Sequence, residues 1–277
     1  MRKIILFIVG LVFSMGTCSQ IGGRTTQTTA PRAGVREPFM TKQSVYFQDG
    51  TTLDEYTSYQ WDAGYTHINN ETRYSASGAM LEQVEFSYNE DRGYLSTRIT
   101  RDMESRLRNR IVYQYNPQSQ LSRESLVDNR GRVVSTYEYA YDGRGNRTNR
   151  VIRNRAGDKL AETTYTYDNQ NRMVTSSTLD GSEVVISSTR YTYNAEGNLT
   201  SQQITNNEGV VTTNVRAVFQ DGLEMRNEMT SAPDNRILML ITNEYGQDRE
   251  LTRRVMDNRQ GESRQVMRYE YIFRPRR

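Results

Sequence analysis

The segment Tyr191–Leu199, YTYNAEGNL, decides the fold because its pattern returns along most of the chain. Two tyrosines flank a threonine, and the four residues from Asn194 to Gly197 follow at once. An Asn side chain can bond the backbone just ahead of it, and Gly accepts the positive φ that closes a tight turn. The segment therefore predicts a strand that ends in a hairpin turn, and it does not predict an ion or phosphate site.

The second aromatic residue of this motif recurs at steps of 27, 27 and then six times 26 residues. We call these nine residues the anchors: Trp61, Tyr88, Tyr115, Tyr141, Tyr167, Tyr193, Phe219, Tyr245 and Tyr271. A second turn of the same chemistry lies between successive anchors, as in DNRG at 128–131. A fixed period of this length indicates a repeat architecture, and two turns per period indicate a hairpin in each repeat.

The sequence thus predicts an all-β fold, an antiparallel meander of about eight 26–27-residue β-hairpin repeats with roughly 16 to 18 strands. We expect an extended or spiralling sheet, or a partial shell, with a free edge strand at each end. Such edges invite pairing with other chains, and the charged, proline-containing end at 274–277 would guard the last one.

Strand residues alternate between the two faces of a sheet. The anchors should share one face with the tyrosines two positions before them. A second apolar belt is expected on the opposite face near the far turns: Leu126, Ile152, Ile204 and Met256, across from Val134, Leu160, Ile186 and Leu238. Neither face is continuously apolar, which argues against a membrane barrel, since that needs an apolar band about 25 Å tall.

The N-terminus has the layout of an export signal, with a charged start, a short apolar run and small residues. We assign residues 1–19 to this signal, 20–44 to a flexible tether and 45–277 to the repeat domain. Cleavage before Cys18 would leave a lipidated cysteine, whereas cleavage after Ser19 would leave a soluble protein, and the residues support both. Either route places the protein in the periplasm, at the outer membrane or on the cell surface, with a lipid on Cys18 as its only membrane attachment.

Composition excludes several classes of function. Arg2 and Lys3 supply two of the three net positive charges, so the exported chain lacks the basic footprint of a nucleic-acid binder. One cysteine and one histidine, Cys18 and His67, cannot build a zinc site of four such ligands. The loop at 142–146 lacks the length and terminal glutamate of an EF-hand. We therefore expect no metal and no cofactor.

The segments YAYDGRGNR at 139–147, YTYDNQNRM at 165–173 and YTYNAEGNL resemble the tyrosine-aspartate repeats of the RHS/YD family. The aspartate of that motif is replaced in other copies, by Asn116 and Asn194 for example, and the period is longer than is usual in the family. The resemblance implies a strand-rich shell or an exposed binding structure in a bacterial envelope. It carries over no catalytic residue.

The remaining candidate site is the tyrosine ladder. Its members are Tyr139, Tyr141, Tyr165, Tyr167, Tyr191 and Tyr193. Regularly spaced aromatic rings can stack on a ligand such as a sugar, but rings that follow the strand register can equally pack on one another. We expect a non-enzymatic envelope protein that is a scaffold or binding surface for a protein partner. A glycan-binding module is the alternative, and an envelope-polymer hydrolase using His67 is the least favoured one.

Overall fold

The computed structural model describes residues 36–275, which form eighteen strands in one antiparallel sheet. The strands are β1 Arg36–Tyr46, β2 Leu53–Trp61, β3 Ile68–Ser75, β4 Met80–Tyr88, β5 Leu95–Asp102, β6 Leu107–Tyr115, β7 Leu121–Val127, β8 Val133–Tyr141, β9 Arg147–Asn154, β10 Lys159–Tyr167, β11 Met173–Asp180, β12 Val185–Tyr193, β13 Leu199–Asn206, β14 Val211–Gln220, β15 Leu223–Ser231, β16 Ile237–Tyr245, β17 Leu251–Asn258 and β18 Ser263–Pro275. The described residues include no helix long and apolar enough to cross a membrane.

The sheet is a closed barrel, so the expectation of an extended or spiralling sheet or a partial shell is wrong. Each strand pairs with its sequence neighbours, and β1 pairs with both β2 and β18. The closing ladder runs from Arg36 opposite Pro275 to Tyr46 opposite Val266. No free edge remains, and Arg274, predicted to guard one, lies inside this ladder opposite Glu37.

Closure depends on a segment that the sequence did not predict as a strand. Residues 36–44 were assigned to the tether, yet they form most of β1. This strand fills the gap between the first and last repeats, which would otherwise expose two unpaired edges. The export signal, Cys18 and the rest of the proposed tether lie outside the described residues.

The two ends of the barrel differ in sequence. Even-numbered strands end at the rim where the anchors lie, which we call the anchor rim, and odd-numbered strands end at the far rim. Turns at both rims have the predicted chemistry. At the anchor rim the Asp142 N–H donates to Asn146 O at 2.9 Å, and Gly145 adopts a φ of 87°. The far-rim turn that opens at Asp128 repeats this pattern, with Gly131 at 77°.

Most hairpins contain a β-bulge near each rim. Between β8 and β9, Ala140 lies opposite Asn149 but Tyr141 lies opposite Arg147, so Thr148 is an extra residue. A bulge adds one residue to one strand and so reverses the alternation of faces beyond it.

The bulges overturn the predicted second belt. Ile152 lies opposite Ala161, and Leu160 is the extra residue of the far-rim bulge in that hairpin. By register, Ile152 and its equivalents Leu126, Ile204 and Met256 share the face of the anchors. The residues expected to lie across from them, such as Leu160, occupy bulge positions instead.

The face that holds the anchors is the inner wall of the barrel. In β12 Tyr191 is buried while its neighbours Arg190 and Thr192 are exposed. The ladder places Gln202 opposite Tyr191 and Val215 opposite Gln202, and Val215 is only 2% exposed. Side chains converge on the concave side of a curved sheet and spread apart on the convex side. We therefore assign the less exposed anchor face to the inside and call the other face the outer wall.

The inner wall surrounds a wide lumen. About eight strands suffice for side chains to fill a barrel, whereas barrels of about 16 to 18 strands retain an aqueous channel. Within residues 36–275, strands approach one another closely only where they are neighbours around the ring. The core is correspondingly thin, and its compact part is a cluster of Val84, Phe86 and Leu95 against Ile68 and Tyr88.

Candidate functional site: the inner wall and the two rims

The anchors form a belt of side chains that bond to the backbone of the preceding odd-numbered strand. Each polar anchor donates to a carbonyl 20 or 21 residues earlier. The bonds are Trp61 Nε1 to Met40 O at 2.8 Å, and from tyrosine hydroxyls Tyr88 to Ile68 O at 2.9, Tyr115 to Leu95 O at 3.0, Tyr141 to Leu121 O at 2.7, Tyr167 to Arg147 O at 2.8, Tyr193 to Met173 O at 2.9, Tyr245 to Glu224 O at 2.9 and Tyr271 to Leu251 O at 2.8 Å. Phe219 has no hydroxyl and is the exception.

The carbonyl that accepts each bond lies where the strand ladder has ended. The β7–β8 pairing stops at Arg123 opposite Glu138, so Leu121 O has no strand partner on that side until Tyr141 reaches it. Buried carbonyls need a donor, so the anchor hydroxyl completes the hydrogen bonding of the rim. Burial raises the pKa of Tyr88 and of Tyr271 to about 12, which keeps both hydroxyls protonated as donors.

Three of the six predicted ligand-binding tyrosines, Tyr141, Tyr167 and Tyr193, belong to this belt. Their hydroxyls are engaged by the backbone, so a ligand would meet only their rings. The ring of Tyr193 is also approached by the Arg172 guanidinium, 5.0 Å from its centroid. A structural role at the rim therefore accounts for these three side chains.

The other three lie one step deeper on the inner wall. The Tyr139 hydroxyl donates to Glu124 Oε1 at 2.7 Å, and Tyr191 is buried with its hydroxyl 3.1 Å from Ser176 Oγ. Tyr165 lies opposite Ser176 in the ladder and is half-buried. The six side chains thus belong to one wall, and ligand binding by them stays a prediction.

A hollow at the anchor rim carries an aromatic pair that the repeat pattern did not predict. Tyr94 stacks on Tyr115 with ring centroids 5.0 Å apart and an angle of 29°. The hollow has a volume of about 720 Å³, and Arg92, Tyr113 and Asn116 also line it. Tyr94 follows a turn and lies outside the 26–27-residue spacing of the anchors. An aromatic residue that departs from this spacing is the signal that could have identified it.

The far rim exposes most of the large hydrophobic side chains that reach solvent. Within residues 36–275 eleven such side chains are exposed, and nine of them are at or next to far-rim turns. The nine are Phe47, Met103, Val133, Val134, Leu160, Val184, Val185, Ile186 and Val210. Leu160 and Val184 are 50% and 56% exposed. Seven of the nine, from Val133 to Val210, follow the turns that lead into β8, β10, β12 and β14.

The outer wall between the rims is polar and rich in ion pairs. Glu138 bonds to Arg153 at 3.0 Å and lies 3.5 Å from Arg123, and Lys42 pairs with Glu270 at 3.0 Å. Exposed pairs of this kind contribute little to stability, but they keep the wall solvated. The exposed aliphatic residues of the far rim therefore stand apart from the rest of the outside.

His67 lies in a turn at the anchor rim. Its Nδ1 is 3.3 Å from Asp62 Oδ2, and its ring lies 4.2 Å from that of Tyr88. Among residues 36–275, no group of three or more His, Cys, Asp or Glu side chains is placed to hold a metal ion. The imidazole therefore has a carboxylate and an aromatic ring as its neighbours, in a setting that organises the turn.

No protein-family model and no curated protein sequence matches the chain. Several solved structures do match the chain in fold. A porin-like protein from Bacteroides uniformis is 11% identical, with a TM-score of 0.44 over 84% of this chain and 98% of that one. A porin-like protein from Bacteroides vulgatus is 10% identical, with a TM-score of 0.34 over 85% and 99%. The Photorhabdus luminescens Tc holotoxin pore is 14% identical, with a TM-score of 0.28 over 79% of this chain and 16% of that one. These likenesses assign no activity, ligand or partner to the chain.

Proposed function

We propose that the chain is an exported, non-enzymatic protein of the bacterial cell envelope that binds a protein partner through its far rim. The observation that carries the proposal is the concentration of exposed aliphatic side chains there. Exposed apolar patches with a polar border mark interaction surfaces more often than isolated exposed residues do.

The surroundings of this patch fit a protein interface. Charged turn residues of both signs, such as Arg130, Asp158 and Glu183, lie between the aliphatic side chains and are exposed. An apolar centre with a polar border is the usual anatomy of protein–protein interfaces. Nine of the eleven exposed large hydrophobic side chains lie at this one rim, whereas a bilayer would require an apolar band about 25 Å tall around the outer wall.

The position of the N-terminus fits the same arrangement. The described chain enters the barrel at Arg36, which is at the anchor rim opposite Pro275. A lipid on Cys18 would therefore be connected to the barrel at the anchor rim, which is the rim opposite the proposed interface. Cys18→Ala tests this arrangement, and a protein that still sediments with membranes would contradict lipid attachment.

Site-specific photo-crosslinking in cells tests the partner. A crosslinking residue at Ile186, on the far rim, should trap one envelope protein in a defined ratio. The matched control is Thr192, which is exposed at the anchor-rim end of the same strand. Equal adducts at both positions, or none at Ile186 and Leu160, would refute the proposal. Turnover of an envelope polymer that is lost on replacing one carboxylate would contradict the non-enzymatic part.

The hollow at the anchor rim supports glycan binding as a second candidate. Its stacked pair of Tyr94 and Tyr115 and its amide and guanidinium groups are the side chains that bind sugars by stacking and hydrogen bonding. A glycan array should then give hits that Tyr94→Ala abolishes. Tyr74→Ala is the matched control, because Tyr74 stacks on Tyr56 at the same 5.0 Å spacing on the outer wall. An array without hits would leave the hollow without this role.

A further inference from the structure

Two arginines project from β9 onto the inner wall without an acidic partner. Arg147 and Arg150 are half-buried, and among residues 36–275 no carboxylate oxygen lies within 4.0 Å of either guanidinium. Elsewhere on the same wall Arg73 bonds to Glu55 at 2.8 Å. The Nε atoms of Arg147 and Arg150 are also shielded from solvent without a hydrogen-bond partner. Arg147 also hydrogen-bonds to the Tyr141 side chain, but no carboxylate in this part of the structure offsets either partly buried charge.

Their guanidinium groups converge on one tyrosine. The Arg147 guanidinium carbon lies 4.3 Å from the centroid of the Tyr139 ring, and Arg150 is opposite Tyr139 in the ladder. Burial and the Glu124 carboxylate raise the pKa of Tyr139, and the charges of Arg147 and Arg150 both oppose that rise. Arg150 also bonds to Thr163 Oγ1 at 3.4 Å. The neighbouring side chains thus hold both cations beside the lumen.

The acidic group beside Tyr139 is engaged by the tyrosine itself. Glu124 Oε1 accepts a hydrogen bond from the Tyr139 hydroxyl at 2.7 Å, and Glu124 is not within ion-pair distance of Arg147 or Arg150. One carboxylate near two guanidiniums leaves an excess of positive charge on this part of the wall. Guanidinium groups bind carboxylate and phosphate through paired, charge-assisted hydrogen bonds, and they are more weakly hydrated than ammonium groups.

We propose that Arg147 and Arg150 form an oxyanion site in the lumen, which takes a carboxylate or phosphate group of a small polar ligand. Tyr139 positions Arg147 by contact with its ring, and Thr163 positions Arg150. The site is on the inner wall and does not depend on partner binding at the far rim.

Thermal unfolding and calorimetric titration of the full chain test the site. Inorganic phosphate and acetate are added separately at constant ionic strength, with chloride as the reference anion. We expect at least one of the two to raise the Tm of the wild type and to bind near one site per chain. The oxyanion that binds more tightly identifies the ligand group as phosphate or carboxylate.

Four variants make the result specific. Arg147→Gln with Arg150→Gln should abolish the Tm shift and the titration heat. Arg190→Gln removes a charge from the exposed outer wall of β12 and should leave both unchanged. If the double variant does not fold, Arg147→Lys and Arg150→Lys keep the charge but lose the planar fork, and each should weaken binding about tenfold. Equal shifts in all variants, or no response to either oxyanion in the wild type, would overturn the proposal.

Discussion

The two rims share one turn chemistry but treat their apolar side chains in opposite ways. At the anchor rim, aromatic residues lie against the preceding strand and bond to its backbone, as Tyr141 does to Leu121 O. At the far rim, aliphatic residues such as Val134 and Leu160 remain exposed. An apolar side chain that is already packed serves the fold, whereas one left in water is available to a partner. The anchor rim therefore stabilises the barrel, whereas the far rim is the one that we propose binds a protein partner.

The largest expected effect is alkaline unfolding caused by the anchor belt. Burial raises the pKa of Tyr88 and Tyr271 from 10.0 to about 12. The folded state holds these protons more tightly than the unfolded state, so their stabilisation is complete below pH 10 and is lost as pH rises to about 12. Circular dichroism and tyrosinate absorbance, followed together against pH, should show ionisation of the buried tyrosines coinciding with unfolding. Complete ionisation of the tyrosines near pH 10 in an intact barrel would contradict it.

Truncation at the two ends of one strand compares the rims directly. Tyr141 and Val134 both belong to β8. Tyr141→Ala removes a half-buried ring and leaves Leu121 O without its donor, so we expect a loss of about 2–3 kcal/mol in the free energy of unfolding. Val134 is 42% exposed, and Val134→Ala should cost less than about 0.5 kcal/mol. Urea unfolding measures both, and similar losses would remove the distinction between the rims.

The turns should respond alike at both rims, since the rims differ in side chains and not in turn geometry. Gly145 at the anchor rim and Gly157 at the far rim have φ angles of 87° and 93°. An alanine Cβ would meet one atom at 3.4 Å at Gly145 and nothing within 4 Å at Gly157. Alanine at either site should therefore cost about 1–2 kcal/mol, from the left-handed backbone alone. A clear difference in urea midpoints would show that one rim strains its turns.

Local chemistry made much of the fold predictable. The spacing of the anchors and the Asn, Asp and Gly of the turns predicted hairpins, and the 18 strands lie within the expected number. These features depend on residues a few positions apart, so a single sequence records them. Closure of the barrel does not depend on nearby residues, because it pairs 36–46 with 263–275, more than 200 residues away. The segment at 36–46 carries neither an anchor nor a hairpin turn of its own repeat, and nothing local indicates its partner.

The site was less predictable than the fold. The tyrosine ladder was correctly placed on one face by its period, but that face proved to be the inner wall only because the sheet closes. Leu160 is exposed because it occupies a bulge position, and the Nε atom of Arg150 lacks a hydrogen-bond partner because of which side chains converge on it across the strands. Bulge positions and the contacts between side chains of neighbouring strands depend on the register in which the strands pair. Residue types at a fixed spacing do not specify that register.

The smallest expected effect comes from the one anchor without a hydroxyl. Phe219 precedes a shorter turn, with Asp221 and Gly222 at φ of 52° and 76°. The equivalent acceptor is Leu199 O, 20 residues earlier, and the β13–β14 ladder stops short of it at Ser201 opposite Arg216. Phe219→Tyr should therefore supply a missing donor and stabilise the barrel by about 0.5–1 kcal/mol.

The reciprocal change at the neighbouring anchor controls for this gain. Tyr193→Phe removes the 2.9 Å bond to Met173 O and should cost about 1 kcal/mol. The double variant should then unfold within about 0.5 kcal/mol of the wild type, because the two changes move one hydroxyl between equivalent positions. If Phe219→Tyr gave no gain while Tyr193→Phe gave its full loss, the shorter turn would have moved position 219 away from its acceptor. The anchor belt would then consist of eight hydrogen-bonded positions with a structural gap between β13 and β14, and the anchor rim would be weakest there.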